Sequence, residues 1–275
     1  MDLRGARVIV TGASRGLGVH IARALADRGA DLALAARSAE ELDAVRVDVT
    51  GRGVKAITVI TDVADADARR RLVEQTVSEL GGVEVLVNNA GIEANASYHD
   101  MDPATIESIL TVNLTAAALL IREVLPHMVD AGRGHVVNVA SLAGKSGTPF
   151  EAAYSASKFG LVGLTHALQA EYIDDPVNFS VVSPGFVEDD GMYARIADDR
   201  IHSPRMVGTT TPARVAAAVV QAVEKGRVDV IVNGLPMRPL LALSTAFPGL
   251  NAQLLKRIGV TGMLREAAEA ERRRR

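Results

Sequence analysis

Seven short apolar runs, rich in Val, Ile, Leu and Ala, punctuate the chain at residues 6–11, 31–36, 56–61, 83–88, 134–140, 177–183 and 229–232, and the first six each precede a helix-compatible segment. Strands with one wet face alternate apolar and polar side chains. Most of these runs are apolar throughout, which marks strands covered on both faces. Their alternation with helices predicts an α/β fold: a doubly wound parallel sheet of about seven strands with helices on both faces. The building material agrees. Apolar residues make up 48% of the 275, yet aromatics are 3% and Trp is absent. The core must therefore be Ala, Val, Leu and Ile, which lets helices sit close on the sheet. Residues 1–234 read as one domain and 235–275 as a C-terminal extension beyond the last strand. Within the domain, residues 186–212 are rich in Asp, Thr, Gly and Pro and predict a loop or small helical lid over a site.

Several functions are excluded early. There is no cysteine, so disulfides, thiolate catalysis and Cys-ligated metals are out. The six histidines show no paired spacing, and no metal site is expected. A net charge of −3 gives no footprint for nucleic acid. No secretory signal is visible at the start and no run of 18 apolar residues occurs, so the expected location is cytoplasmic.

The loop joining the first strand to the first helix reads Thr11, Gly12, Ala13, Ser14, Arg15, Gly16, Leu17, Gly18. Gly12 permits a tight turn, Gly16 lets backbone approach a pyrophosphate, and Gly18 allows helix–strand contact. The helix N-terminus then offers free N–H groups to phosphates. The spacing TGxxxGxG is neither the common GxGxxG nor a Walker loop. A ligand-free glycine turn has the same composition, but the strand–loop–helix context favours a dinucleotide. The second strand ends in Ala36, Arg37, Ser38, with no acid to bond a ribose 2′-hydroxyl. Arg37 and Arg15 can bracket a 2′-phosphate, which points to NADP(H) over NAD(H). Arg37 also reads as a solvated loop charge. Asp62 and Val63, after the third strand, fall at the expected adenine edge. Asn88, Asn89, Ala90 and Gly91 close the fourth strand, in a pattern that also makes an ordinary turn.

Tyr154 and Lys158 stand four apart, on one face of a predicted helix. A free phenol titrates near pH 10, too high for proton transfer at neutrality; a neighbouring ammonium stabilises tyrosinate and lowers that value. The pair can act as a general acid/base. Ser141 closes the fifth strand, and its hydroxyl can hold a carbonyl oxygen beside the phenol. Asn113 is polar within an apolar helical pattern. Taken singly, Tyr154 and Lys158 read as a surface pair, Ser141 as a helix cap and Asn113 as a buried hydrogen-bonding residue.

TGASRGLG, Asp62, NNAG, Asn113, Ser141, YSASK and Pro184-Gly185, in that order, resemble the short-chain dehydrogenase/reductase family from about residue 5 to 234. The resemblance implies a compact Rossmann-type enzyme that moves hydride between a nicotinamide and a carbonyl or secondary alcohol. It implies that Tyr154 gives or takes the proton, that Ser141 orients the oxygen, and that Lys158 lowers the phenol pKa and holds the nicotinamide ribose. Asn113 would support a water leading protons to Lys158. The cofactor would also touch Pro184, Gly185 and Val187. A homodimer or homotetramer, built on the helices of Asn113 and Tyr154, is implied as well.

The chain departs from the family pattern twice. The Thr usually found after Pro-Gly is missing, and Glu188, Asp189 and Asp190 follow Val187. Facing the pocket, that triplet would disfavour anionic substrates; as a solvated loop it would not matter. The second departure is the extension, an apolar stretch at 240–247 followed by residues 256–275, which carry seven Lys/Arg against three Glu. It can cap the substrate pocket, bury against a partner subunit, or lie on a membrane surface near anionic lipid. Phe150, Phe186, Met192 and Tyr193 flank the expected site and favour a neutral, hydrophobic carbonyl or alcohol as substrate. A β-ketoacyl thioester reductase is the alternative, and a non-catalytic dinucleotide-binding regulator a more distant one.

Overall fold

The computed structural model describes residues 1–188, 201–204 and 206–274. Seven strands form one parallel sheet: β1 (Arg7–Thr11), β2 (Asp31–Ala36), β3 (Ala56–Ile60), β4 (Val85–Asn88), β5 (Gly134–Val139), β6 (Val177–Pro184) and β9 (Asp229–Val232). Each lies within two residues of its sequence expectation. Two further two-residue strands, β7 (Phe186–Val187) and β8 (Thr209–Thr210), pair beside it. The order across the main sheet is β3-β2-β1-β4-β5-β6-β9, so the chain reverses direction between β1 and β4. That reversal opens a crevice at the carboxyl ends of the strands, where α/β sheets bind ligands.

Alternate strand residues feed two cores. Val8 and Val10 of β1 join Leu32, Leu34, Val85, Val87 and Val137 on one face. Against them pack α1 (Leu17–Ala26), α2 (Ala39–Thr50) and α7 (Pro212–Lys225), through residues such as Ile21, Leu25, Leu42, Val215 and Val219. Ile9, Ala33, Leu86 and Val136 face the other way. They meet α3 (Ala66–Leu80) and α5 (Ala116–Asp130), with Leu72, Leu120, Val124 and Met128 completely buried. Both faces of the central strands are thus dry, as their unbroken apolar runs require.

Polar pairs fix the register at the sheet centre. Asn88 at the end of β4 donates to Asn138 of β5 (2.9 Å), and Asn138 donates to Thr165 (2.9 Å) of α6 (Ala152–Glu171). At the opposite, amino edge, the fully buried Glu84 carboxylate is gripped by Arg7 and Arg133. Those guanidiniums overcome desolvation and hold its pKa down at about 2.

α4 (Pro103–Leu110) runs through a single π-helical turn (Thr111–Thr115) into α5. This rod, Pro103–Asp130, is long and apolar enough by composition to cross a membrane. It contains no unbroken run of 18 apolar residues, because Ser108, Thr111, Asn113 and Thr115 interrupt it. Its inner side is spent on the sheet, as in any core helix. The extension folds as three helices, α8 (Arg238–Ala246), α9 (Pro248–Arg257) and α10 (Val260–Arg274). The middle of the anticipated lid over 186–212, residues 189–200 with Asp189, Asp190, Met192 and Tyr193, lies outside the described residues.

Candidate active site

The glycine loop crosses the crevice between β1 and α1. Gly12 takes φ 64°, and Gly18 lies so close beneath it that a Cβ there would sit 2.0 Å from the Gly12 carbonyl oxygen. Only glycine lets α1 begin against the strand. Thr11 ties this loop to the end of β4: its hydroxyl accepts from the backbone N–H groups of Asn89 (3.0 Å) and Ala90 (3.1 Å). The Asn89 side-chain amide donates to the Thr11 (3.0 Å) and Gly12 (3.2 Å) carbonyls. Asn89 therefore braces the loop as well as facing the cleft.

One continuous cavity of about 1150 Å³ follows this crevice. Its lining includes Gly12, Ser14, Arg15, Gly16, Leu17, Arg37, Asp62, Val63, Asn89, Ala90 and Gly91. At its other end stand Ser141, Tyr154, Lys158, Pro184, Gly185 and Val187. Every sequence-predicted site residue except Gly18 and Asn113 thus faces one space. Arg15 and Arg37 are exposed there and make no ion pair among the described residues. Gly16 caps α1 without a side-chain bond, which leaves first-turn N–H groups directed into the crevice for an anion.

The reactive groups sit at the mouth of β5 and on α6. Tyr154 and Lys158 are one turn apart and buried, with Lys158 Nζ 5.6 Å from the phenol ring centre. Nζ donates to the Val139 carbonyl (2.8 Å), which pins the ammonium beneath the phenol. Ser141 stands near enough to the phenol to favour its ionised form. The Ser141 Oγ accepts from the Ala143 N–H (3.1 Å), so the hydroxyl is fixed in direction. Asn113 lies in the π-helical turn, fully buried. Its side chain donates to Ser157 (3.0 Å) and exchanges two 2.8 Å bonds with the Ile92 backbone. What the geometry shows for Asn113 is positioning, since it fastens the irregular segment after NNAG to α6.

Two carboxyl groups absent from the sequence-predicted set also line this space, Glu93 and Glu151. Glu151 directly follows a residue in a special conformation: Phe150 has φ 64°, the only non-glycine among the described residues on that side of the map. The Phe150 carbonyl is held by the Ala96 N–H (3.0 Å). Such a backbone costs about 1–3 kcal/mol and persists only where surroundings enforce it. Burial pushes the Glu151 carboxyl up to about 7, although nearby Thr148 works against this. Burial, then Glu93 and Glu151, drive the Tyr154 phenol well above its ordinary value, against the influence of Ser141 and opposite to the lowering expected from Lys158. Burial lowers Lys158 to about 8. No pattern of spacing announces Glu93 or Glu151; only the shape of the β5–α6 connection brings Glu151 inward.

The extension closes the reactive end. Met237, Leu240, Leu241, Leu254, Leu255, Ile258 and Val260 contribute an apolar wall. Ser146 donates to Asn251 (3.0 Å), which joins that wall to the loop after β5. α10 packs through Met263, Leu264 and Ala267 on Phe150, Phe186 and Val207. Capping the pocket is thus one role the extension performs. Its tail folds back, with Glu271 accepting from the Asn95 N–H (2.9 Å) and Arg272 near Asp100. Glu188 does not face the cavity; it pairs with the Thr209 hydroxyl and stays exposed. A Cβ on Gly185 would fall 2.2 Å from Asn233 Oδ1, so a larger residue there requires the Asn233 side chain to move.

A doubly wound sheet, a glycine crevice at its reversal point and a Ser–Tyr–Lys cluster beside it define a dinucleotide-dependent oxidoreductase. The short chain dehydrogenase profile matches residues 6–200, and the chain belongs to that family. It is similar to "Ketoacyl reductase HetN" of Nostoc sp., 41% identical over 97% of this chain and 94% of the relative. It also resembles bovine "Dehydrogenase/reductase SDR family member 7B", 32% identical over 92% of this chain and 81% of that one. A solved short-chain type dehydrogenase/reductase from Mycobacterium marinum superposes with a TM-score of 0.79 at 29% identity, covering 85% of this chain and 96% of the other. Membership implies a nicotinamide dinucleotide as cofactor and a small molecule as substrate. The uncapped helix end and the glycine-lined crevice suit such a group.

Proposed function

We propose that the protein is an NADPH-dependent reductase of a carbonyl carried on an apolar chain, with a 3-oxoacyl thioester as the best-supported substrate. The observation that carries this is the placement of Ser141, Tyr154 and Lys158 at one end of a cavity whose outer wall is aliphatic. The names of the relatives, a ketoacyl reductase and several 3-oxoacyl-[acyl-carrier-protein] reductases, favour the acyl reading that the sequence alone ranks second. Glu188, turned to Thr209, does not oppose an anionic thioester. The NADP(H) preference rests on Arg15 and Arg37 facing the cleft at the end of a strand without an acid.

When bound, the dinucleotide supplies the hydride. The chain's own residues do the rest. Ser141 donates to the substrate oxygen and aligns it with the phenol. Tyr154 gives its proton to that oxygen as charge develops there. The Lys158 ammonium, held by the Val139 carbonyl, stabilises the resulting tyrosinate. Burial and the two carboxyls keep the phenol protonated beforehand, which is the state that reduction requires and oxidation does not.

The test is loss of NADPH absorbance over 3-oxoacyl thioesters of increasing chain length beside cyclic and steroid-like ketones. The expected result is a kcat/KM that rises with acyl length, abolished by Tyr154→Phe with NADPH affinity kept. Turnover of the cyclic ketones alone would replace the acyl reading with the neutral-ketone one that the cavity's breadth also admits.

A further inference from the structure

The helices α8 and α9 have a second face. Between Arg238 and Lys256 lie seventeen residues without a single charge, PLLALSTAFPGLNAQLL. The inner side of this hairpin is accounted for: Met237, Leu241 and Ser244 are buried and Leu240, Leu254 and Leu255 wall the cavity. The outer side and tip are not. Leu243 is 47% exposed, Phe247 55% and Leu250 54%, with Ala242, Ala246, Pro248 and Gly249 also exposed around them. Large apolar side chains left in water at adjacent positions mark an interaction surface. The ends of the same hairpin carry exposed cations, Arg238 on one side and Lys256 and Arg257 on the other.

We infer that the α8–α9 hairpin is a foot that inserts its tip into an anionic lipid bilayer. A protein partner would leave the flanking cations unexplained, whereas headgroup phosphates meet them directly. Lys and Arg at the rims of an apolar segment reach up to the headgroup level while Leu and Phe enter the acyl boundary. Helices of nine and ten residues are too short to cross, so the hairpin lies in the interface. Its inner face borders the cavity, so an apolar substrate dissolved in the bilayer would meet the enzyme at the cavity wall. The exposed tip and its flanking cations stand whichever carbonyl the enzyme reduces.

The chain contains no Trp, so Phe247→Trp places a single indole at the tip of the otherwise native full-length protein. Emission would be recorded with phosphatidylcholine vesicles and with vesicles also containing phosphatidylglycerol, with and without lipids brominated on the acyl chain. The expected result is a blue shift and bromine quenching with the anionic vesicles, weakened by high salt and by Lys256→Gln with Arg257→Gln. In flotation, the combined variant Leu243→Ser, Phe247→Ser, Leu250→Ser should lose at least tenfold in bound fraction while keeping its circular dichroism and its NADPH-oxidising activity. An indole spectrum unchanged by either vesicle overturns the proposal. So does flotation untouched by the triple variant. If the triple variant instead lowers the mass seen by light scattering and the wild type ignores vesicles, the face joins two copies of the chain and the proposal falls.

Discussion

Replacing Glu151 by Gln isolates what a buried carboxyl beside the phenol does to the fold. The Glu151 side chain is almost wholly buried and has its pKa raised from 4.5 to about 7, despite the opposing influence of Thr148. Below the unfolded value both folded and unfolded chains hold the proton, and the neutral carboxyl contributes in full. As pH rises, the unfolded chain releases its proton first, so folding loses that contribution progressively until the folded group also ionises near 7. The interval between the two ionisations corresponds to about 3 kcal/mol. Gln has nearly the same shape and never ionises. The variant should match wild type near pH 4 and exceed it by about 3 kcal/mol near pH 8, equivalent to about 6–12 °C in melting temperature. Thermal unfolding of the ligand-free protein at both pH values measures this. An identical wild-type-to-variant gap at the two would refute the reasoning.

Other outcomes follow from the same geometry. Because burial lowers Lys158 to about 8, kcat/KM for reduction should fall by about tenfold per pH unit above that value; a flat profile to pH 10 would remove the ammonium from the mechanism. Arg37→Ala should raise KM for NADPH by at least about tenfold and leave NADH little changed, in line with a charge-assisted bond of about 1.5–3 kcal/mol; equal effects on both cofactors would dismiss the 2′-phosphate contact. Glu84→Ala should destabilise by about 2–4 kcal/mol, since it frees two paired guanidiniums at the sheet edge. That contribution is present above pH 4.5 and lost as pH falls through about 2, so denaturant midpoints of wild type and variant should converge in strong acid.

The sheet is legible in the sequence because its period is local. Unbroken Val, Ile, Leu and Ala runs name doubly covered strands, and glycine spacing names the turn at their ends. Tyr154 and Lys158 are legible for a similar reason, since one helical turn separates them. Asn113 stands out too, but its π-helical turn does not, because that bulge depends on Ile92 and Ser157 arriving from distant parts of the chain. Glu93 and Glu151 stay hidden for the same cause. A glutamate in a loop reads as solvated until a positive φ at Phe150 and the packing of α6 turn it inward. The extension leaves three readings open because one hairpin has two apolar faces, and periodicity does not say which neighbour each face meets.

The row formed by Asn88, Asn138 and Thr165 works like a vernier across three elements. Sliding β5 past β4 by a residue pair would strand the Asn138 amide in a dry sheet, so only one alignment is tolerated. Ser141 lies three positions beyond Asn138, and Thr165 shares a helix with Tyr154 and Lys158. Peripheral segments can therefore lengthen, shorten or be exchanged between homologous enzymes while hydroxyl, phenol and ammonium keep their mutual spacing.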